Sequence, residues 1–359
     1  MTRVFMKGCE AIAEAAIRGG CRFFAGYPIT PQNEIPEYMS RELPRHGGVF
    51  VQGESEIASI YMVYGAAAAG NYAMTSSSSP GISLKSEGLS YLAAAKLPAV
   101  VVSVMRAGPG LGTILPAQND YFQATKASGH GGFRTITFAP STLQEAVDLT
   151  YQAFEYAQRD RNPVIIAIDG FLGAIMEPVV LPPFKELKEP PKWAVTGKKG
   201  KMYHIITPAT ANENSQQAFN LQMEKLYRRW AQEDVRVEEY RVEDAEFVFA
   251  AYGTSGRVCK SVVNALREQG VKAGLIRPIT INPFPYRSFE KLDPDRVKAV
   301  IVAEMAIPPQ LLYDVRVGVG RAIPITIVRA SGGNIISQKE AVEKVLSLQK
   351  GEMDYEEII

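Results

Sequence analysis

The chain has 359 residues, 46% hydrophobic and 21% charged, a composition that suits a globular protein with room for two domains. Lys plus Arg number 39 against 38 for Asp plus Glu, so neither nucleic acid nor an anionic membrane is expected as a partner on electrostatic grounds. No apolar run reaches the roughly 20 residues that span a bilayer, the opening residues lack an apolar signal core, and three widely spaced cysteines make no CxxC pair, cluster-binding run or disulfide framework; a reducing, cytoplasmic compartment fits.

The periodicity of the first half predicts a helix over 11–18 that stops at Gly19-Gly20, then a strand over 22–25 closed by Gly26-Tyr27-Pro28. Strands follow over 49–52, 72–75, 99–105, 134–138 and 163–168, with helices over 57–69, 81–95 and 143–158 between them. Alternation of this kind argues for an α/β fold with a parallel sheet covered on both faces. Residues 182–201, rich in Pro and Lys, read as an extended arm, and 212–232 as a polar helix. A second α/β unit begins near Asp244: a strand over 246–252 enters Gly253-Thr254-Ser255-Gly256, a helix covers 257–269, and strands over 272–276, 299–303 and 325–328 precede a helix over 338–348. The expected domains are 1–181 and 243–349, joined by a linker arm and helix over 182–242 and ending in an acidic tail over 350–359.

Several side chains fall where a parallel sheet presents its ligands, at strand ends followed by helices. Glu56 heads an apolar helix, where it is either an ordinary first-turn carboxylate or a group aimed at a ligand. Tyr27-Pro28-Ile29-Thr30-Pro31 lies at another such turn, and Thr30 and Pro31 suit the N-cap and first position of a helix. The hydroxyl run Thr75-Ser76-Ser77-Ser78-Ser79-Pro80-Gly81 offers either an anion site or a capped loop. Arg106 directly follows the strand over 99–105 and precedes a glycine-rich loop, which suits bidentate binding of a carboxylate. His130, in Gly129-His130-Gly131-Gly132, could reach a site from its loop, and the lysines of the arm, Lys185, Lys188, Lys192, Lys198, Lys199 and Lys201, could meet phosphates or simply be solvated. No spacing suggests a metal site.

Gly26-Tyr27-Pro28-Ile29-Thr30-Pro31-Gln32-Asn33-Glu34, Glu54-Ser55-Glu56, the hydroxyl run and Arg106-Ala107-Gly108-Pro109, in that order, resemble the α-type subunit of 2-oxoacid:ferredoxin oxidoreductases. The second half, with Ala251-Tyr252-Gly253-Thr254-Ser255-Gly256 and Ile276-Arg277-Pro278-Ile279-Thr280, is similar to the transketolase C-terminal-like domain of the same subunits. The resemblance implies a thiamine diphosphate-binding fold of the pyrimidine-binding type, followed by that domain. It implies that Glu56 bonds N1′ of the aminopyrimidine and helps it take the proton from thiazolium C2, and that Thr30 and Arg106 hold the 2-oxoacid carboxylate. Tyr27, Pro28, Ile29 and Ser78 are then cofactor contacts alongside Glu56.

The wider thiamine class holds the diphosphate with a metal and a Gly-Asp-Gly motif. Here Ile168-Asp169-Gly170 is the nearest match, and its first glycine is missing. This implies half a site, with magnesium and the diphosphate on a β subunit, iron–sulfur clusters on a γ or δ subunit or domain, coenzyme A as co-substrate and ferredoxin as electron acceptor. Met6-Lys7-Gly8-Cys9-Glu10-Ala11 and 106–113 look most like the subunit acting on branched-chain 2-oxoacids such as 3-methyl-2-oxobutanoate. A 2-oxoglutarate enzyme and a transketolase-like protein without redox function are the alternatives. A nucleotide-binding α/β protein has less support, because neither GxGxxG after the first strand nor GxxxxGK[ST] is present.

Overall fold

The structure, a computed structural model, describes residues 3–126, 128–186, 189–197 and 204–351. The first half runs β1 (Arg3–Lys7), α1 (Gly8–Arg18), β2 (Phe23–Gly26), α2 (Glu34–Glu42), β3 (Val49–Gln52), α3 (Glu56–Ala68), β4 (Ala73–Ser78), α4 (Ser79–Ala94), β5 (Val100–Met105), α5 (Tyr121–Thr125), β6 (Ile136–Phe138), α6 (Leu143–Asp160), β7 (Val164–Asp169), α7 (Gly170–Ala174) and β8 (Met176–Val180). The second runs α8 (Glu213–Glu233), β9 (Val237–Tyr240), β10 (Phe247–Ala250), α9 (Gly253–Glu268), β11 (Ala273–Pro278), β12 (Thr280–Asn282), α10 (Tyr286–Glu290), β13 (Ala299–Glu304), α11 (Leu311–Val319), β14 (Ile325–Arg329) and α12 (Gln338–Lys350).

β5 and β7 are buried at every position because helices cover both faces of their sheet. Alternate side chains of β5 serve the two faces: Val100, Val102 and Val104 pack with α1 and α6, while Val101 and Met105 pack with α3 and α4. The sheet has seven strands in the order β12-β6-β7-β5-β4-β2-β3. Its pairings are parallel except that of β12 with β6. β2 lies between β3 and β4, so the order reverses at β2 and the carboxyl ends of β2 and β4 flank the crevice that such a reversal opens. α3 and α4 cross closely there, since a Cβ on Gly88 would sit 2.4 Å from Ile60.

The second sheet has the order β14-β13-β10-β11-β9, with β9 antiparallel at one edge. β9 lies within the stretch read as linker, and β12, from the second half of the chain, completes the first sheet. The two halves share a hydrophobic core that includes Val101 and Val300. Polar ties reinforce it. The Gln118 amide donates to the Tyr252 carbonyl (2.8 Å) and accepts from Ser255 Oγ (2.6 Å) and Met305 N (3.0 Å). Arg277 makes a two-pronged ion pair with Glu145, both contacts 2.9 Å, and also donates to Glu238 (2.7 Å).

The described part of the arm is strapped to the surface: Arg18 holds the Pro182 carbonyl (2.9 Å), Lys185 donates to Tyr151 O (3.0 Å), and Arg161 stacks on Trp193. Lys188, Lys198, Lys199, Lys201 and the tail from Glu352 lie outside the described residues. No helix among the described residues is long and apolar enough to cross a membrane.

Candidate active site

Four segments converge at the carboxyl edge of the first sheet. After β2 comes the turn from Tyr27 to Asn33. Its conformation differs from the cap expected at Thr30 and Pro31: α2 begins only at Glu34, with Asn33 as its N-cap residue. The turn is instead held by Gln32, whose amide donates to the Tyr27 carbonyl (3.2 Å) and accepts from Ser76 Oγ of β4 (2.5 Å). Tyr27 is 38% exposed and Pro28 is also exposed, so these two form the rim.

The hydroxyl run is not a loop. Thr75 to Ser78 continue β4, wholly buried, and Ser79 opens α4. Thr75 Oγ1, Ser77 Oγ and Ser78 Oγ are buried without a hydrogen-bond partner. An orphaned buried hydroxyl is costly unless something bonds it, and Ser77 and Ser78 are the last residues of β4, at the crevice.

Glu56 stands near Ser77, across Gly81. Ser55 caps α3 by accepting from Ala58 N (3.1 Å), which places Glu56 in the first turn with only 6% of its surface exposed. The carboxyl group lies against the first turn of α4. A Cβ on Gly81 would sit 2.7 Å from Glu56 Oε1 and 2.0 Å from Ser77 Oγ, so only glycine fits there. Glu54, two residues earlier, is exposed.

Arg106 leaves β5 with 7% exposure. Its Nη1 donates to the Thr30 carbonyl (3.0 Å), while its Nε is buried and unpartnered. Its backbone N–H donates to Ser79 Oγ (3.0 Å), and Ser79 in turn donates to Asp120. Burial pushes the Asp120 carboxyl up, with Ser79 and Arg106 pulling the other way. Thr30 and Arg106 therefore meet through the backbone of Thr30.

Asp169 has a different task. Its Oδ1 accepts from Phe171 N and Leu172 N (both 3.1 Å) and from Thr254 Oγ1 (2.8 Å), and its Oδ2 accepts from Thr254 N (3.2 Å). It caps α7 and clamps α9, so its acceptor sites serve the junction between the two halves. No group of three or more His, Cys, Asp or Glu suited to a metal occurs among the described residues. The three cysteines are buried and unpaired, and burial pushes the Cys21 thiol up to about 12. The chain thus offers a carboxyl group, orphaned hydroxyls and a guanidinium in one crevice, which fits the aminopyrimidine half of thiamine diphosphate. Among the described residues no group of acidic, His or Cys side chains is suited to the metal of a metal-bound diphosphate.

The family model "Pyruvate flavodoxin/ferredoxin oxidoreductase, thiamine diP-bdg" matches residues 14–243, and "Pyruvate:ferredoxin oxidoreductase core domain II" matches 245–341. Ketoisovalerate oxidoreductase subunit VorB of Methanothermobacter thermautotrophicus is 44% identical over 346 residues, covering 96% of this chain and 97% of that one. The chain belongs to the 2-oxoacid:ferredoxin oxidoreductase family. 2-Oxoglutarate synthase subunit KorA of Methanocaldococcus jannaschii is 38% identical, over 95% of this chain and 99% of its own. A 2-oxoglutarate:ferredoxin oxidoreductase from Magnetococcus marinus, solved with 2-oxoglutarate, coenzyme A and succinyl-CoA bound, matches with TM-score 0.85 and 25% identity. The match covers 96% of this chain and 65% of that longer one. A split-gene transketolase shares the fold, with TM-score 0.59 and 13% identity over 95% of this chain and 97% of its own.

As a 2-oxoacid:ferredoxin oxidoreductase subunit, the chain is part of an oxidoreductase, and its first 2-oxoacid oxidoreductase segment is a thiamine diphosphate-binding domain. His130 stands apart from the crevice. It lies 3.4 Å from Ser90 Oγ, about three turns further along α4, and lines a cavity of about 360 Å³ with Tyr91, Phe133 and Tyr227. Sequence reading missed Gln32, Gly81, Asp120 and above all Lys85. Lys85 is wholly buried, and its Nζ donates to the Glu56 carbonyl (3.3 Å). A signal was present: Gly81, Lys85, Gly88 and Leu92 share one helical face, so a lysine occupies a core position.

Proposed function

We propose that this chain is the subunit that activates the aminopyrimidine of thiamine diphosphate in an enzyme that oxidatively decarboxylates a branched-chain 2-oxoacid, such as 3-methyl-2-oxobutanoate, to its acyl-CoA. In this reading magnesium and the diphosphate sit on a β subunit, iron–sulfur clusters on a further subunit or domain carry electrons to ferredoxin, and coenzyme A accepts the acyl group. The observation that carries it is the buried Glu56 carboxyl beside the orphaned Ser77 hydroxyl at the sheet crevice. The 44% identity to a ketoisovalerate oxidoreductase subunit favours the branched-chain substrate.

Thiamine diphosphate, when bound, supplies the electron sink that lets a 2-oxoacid lose carbon dioxide. The protein's part is positional and acid–base. Glu56 holds the proton at N1′ and shares it as the ring changes tautomer. The Arg106 guanidinium, fixed by the Thr30 carbonyl, presents its unpartnered Nε to the substrate carboxylate. Tyr27, Pro28, Ile29 and Ser78 line the approach.

Exchange of the C2 proton with deuterium in the complex assembled with its partner subunits tests the reading. Glu56→Gln keeps size and hydrogen bonding but cannot share a proton, so exchange and turnover should fall by on the order of 100-fold, while Glu54→Gln should change little. Slowed exchange in Glu54→Gln alone would move the role to Glu54; unaltered exchange in both variants would end the assignment. Turnover of 3-methyl-2-oxobutanoate against 2-oxoglutarate decides the substrate.

A further inference from the structure

Arg106 stands just past the last ladder pairing of β5, that of Met105 with Asp169. Beyond it, residues 107–115 form a loop with three glycines and no charged side chain, closed at its neck by a bond from Ala107 N to the Leu115 carbonyl (3.0 Å). The Arg106 N–H is taken up by Ser79 Oγ (3.0 Å), at the start of α4, and that hydroxyl donates its own proton to Asp120 Oδ2. Ser79 and Arg106 are both buried. Asp120 directly precedes α5, where an aspartate ordinarily caps the helix, yet its side chain makes no cap bond there. It crosses instead to Ser79, 41 residues away in the chain. Capping therefore does not account for the residue. Burial pushes its carboxyl up, so it is kept at a cost that an apolar side chain in the same space would not carry.

We propose that Asp120 is a positioning residue: through Ser79 it fixes the backbone from which Arg106 reaches the substrate carboxylate. The inference rests on the reading of Arg106 as the carboxylate anchor. The Ser79 hydroxyl has one proton, and its other acceptor within reach is the Arg106 carbonyl (3.3 Å). A carboxylate is the stronger acceptor, so Asp120 sets the rotamer in which a lone pair of Ser79 Oγ faces the Arg106 N–H. Arg106 is then held at both ends. Its main chain is tied to Ser79, and its head to the Thr30 carbonyl, which accepts from Nη1 (3.0 Å). Nε is left buried and without a partner. A guanidinium fixed in this way gives up less conformational freedom when a carboxylate arrives, which is how preorganisation raises affinity. Without the Ser79 bond, the main chain here would be tied only through the neck of the glycine-rich loop.

The test uses Ser79→Ala, which removes the relay, Asp120→Leu, which removes its far end, and Asp120→Asn, which keeps an acceptor without the charge. In the assembled complex, Ser79→Ala and Asp120→Leu should each raise KM for the 2-oxoacid by about tenfold, the scale of one hydrogen bond to a charged group. C2 proton exchange should hold, since Glu56 is not part of the relay. The double variant should be no worse than the harsher single one, because both break the same chain of contacts. Asp120→Asn should fall between Asp120→Leu and the parent. A second readout needs neither cofactor nor partner. In the full chain with arginine labelled by ¹⁵N, the Arg106 Nε–H signal is identified by its loss in Arg106→Lys. Its exchange with solvent should quicken by about tenfold in Ser79→Ala and Asp120→Leu. Ser79→Ala, the smaller change, decides alone if Asp120→Leu does not assemble. Unchanged KM, unchanged Nε–H exchange or additive losses in the double variant overturn the proposal. A fall in C2 exchange as large as the rise in KM does so too, because it would mark a general loss of packing. The two readings fail separately. If Arg106→Lys raises KM while the Ser79 and Asp120 variants behave like the parent, only this inference falls. If Nε–H exchange quickens but Arg106→Lys leaves KM unchanged, the relay stands and the reading of Arg106 as the anchor falls.

Discussion

Replacing Lys85 by Met should stabilise the isolated chain at neutral pH, and the size of the gain follows from the ammonium's displacement. Burial lowers its pKa from 10.5 to about 8. At about 1.36 kcal/mol per pH unit, that displacement corresponds to roughly 3 kcal/mol. At pH 7 the lysine is charged in both the folded and unfolded chain, so the folded state bears the full cost. As pH rises from about 8 toward 10.5, the folded chain releases its proton first, and the cost is relieved. The parent should therefore gain stability across that window, and Lys85→Met, lacking the group, should not. Methionine nearly matches lysine in length and adds no new volume. Urea unfolding at pH 7 should show the variant ahead by about 2 kcal/mol, once the lost hydrogen bond is subtracted, with the gap closing near pH 10. A variant less stable than the parent at pH 7, with a gap that does not change with pH, would refute the burial of a charged lysine here. A residue that costs stability yet sits beside the candidate proton-transfer group is the pattern expected where function opposes stability.

Arg106→Lys replaces a fork with a point charge; kcat/KM for the 2-oxoacid should drop by at least about tenfold, the scale of one charge-assisted bond, with cofactor content unchanged in the purified complex. Gly81→Ala puts a methyl 2.0 Å from Ser77 Oγ and 2.7 Å from Glu56 Oε1; it should cost about 1–3 kcal/mol in denaturant unfolding and slow C2 exchange by displacing the carboxyl. Asp169→Ala leaves the Phe171, Leu172 and Thr254 amides without their acceptor; thermal unfolding should show a loss of about 3 kcal/mol. In calorimetry, the isolated chain should bind thiamine diphosphate with magnesium weakly or not at all, and tight stoichiometric binding would contradict the half-site.

The α/β class could be read from β5 and β7, because a strand buried on both faces must be apolar at nearly every position. The helix over 143–158 was readable from its period, and Thr142 caps it by accepting from Glu145 N. β12, three residues long, was not readable, since its place beside β6 comes from pairing across the fold and from no local pattern. The same holds for β9, whose Val-Glu-Glu-Tyr has little strand character and whose partner is β11. Thr30 misled because Thr-Pro is a good local helix start, yet Gln32 and Arg106 hold the turn in another conformation. The hydroxyl run read as a possible loop because serines favour turns, while the neighbours β2 and β5 draw it into β4.

The sequence by itself determined the family, the alternation of helices and strands, and the residue types at the crevice, because periodicity and motif order are local and linear. Only the tertiary structure decided which of those residues act together. That Ser77 and Ser78 have no partner, that Asp169 is spent on the junction with α9, and that a lysine lies buried against Glu56 are all facts about neighbours far apart in the chain. Burial and hydrogen-bond satisfaction belong to the packed neighbourhood, and no window of sequence contains it.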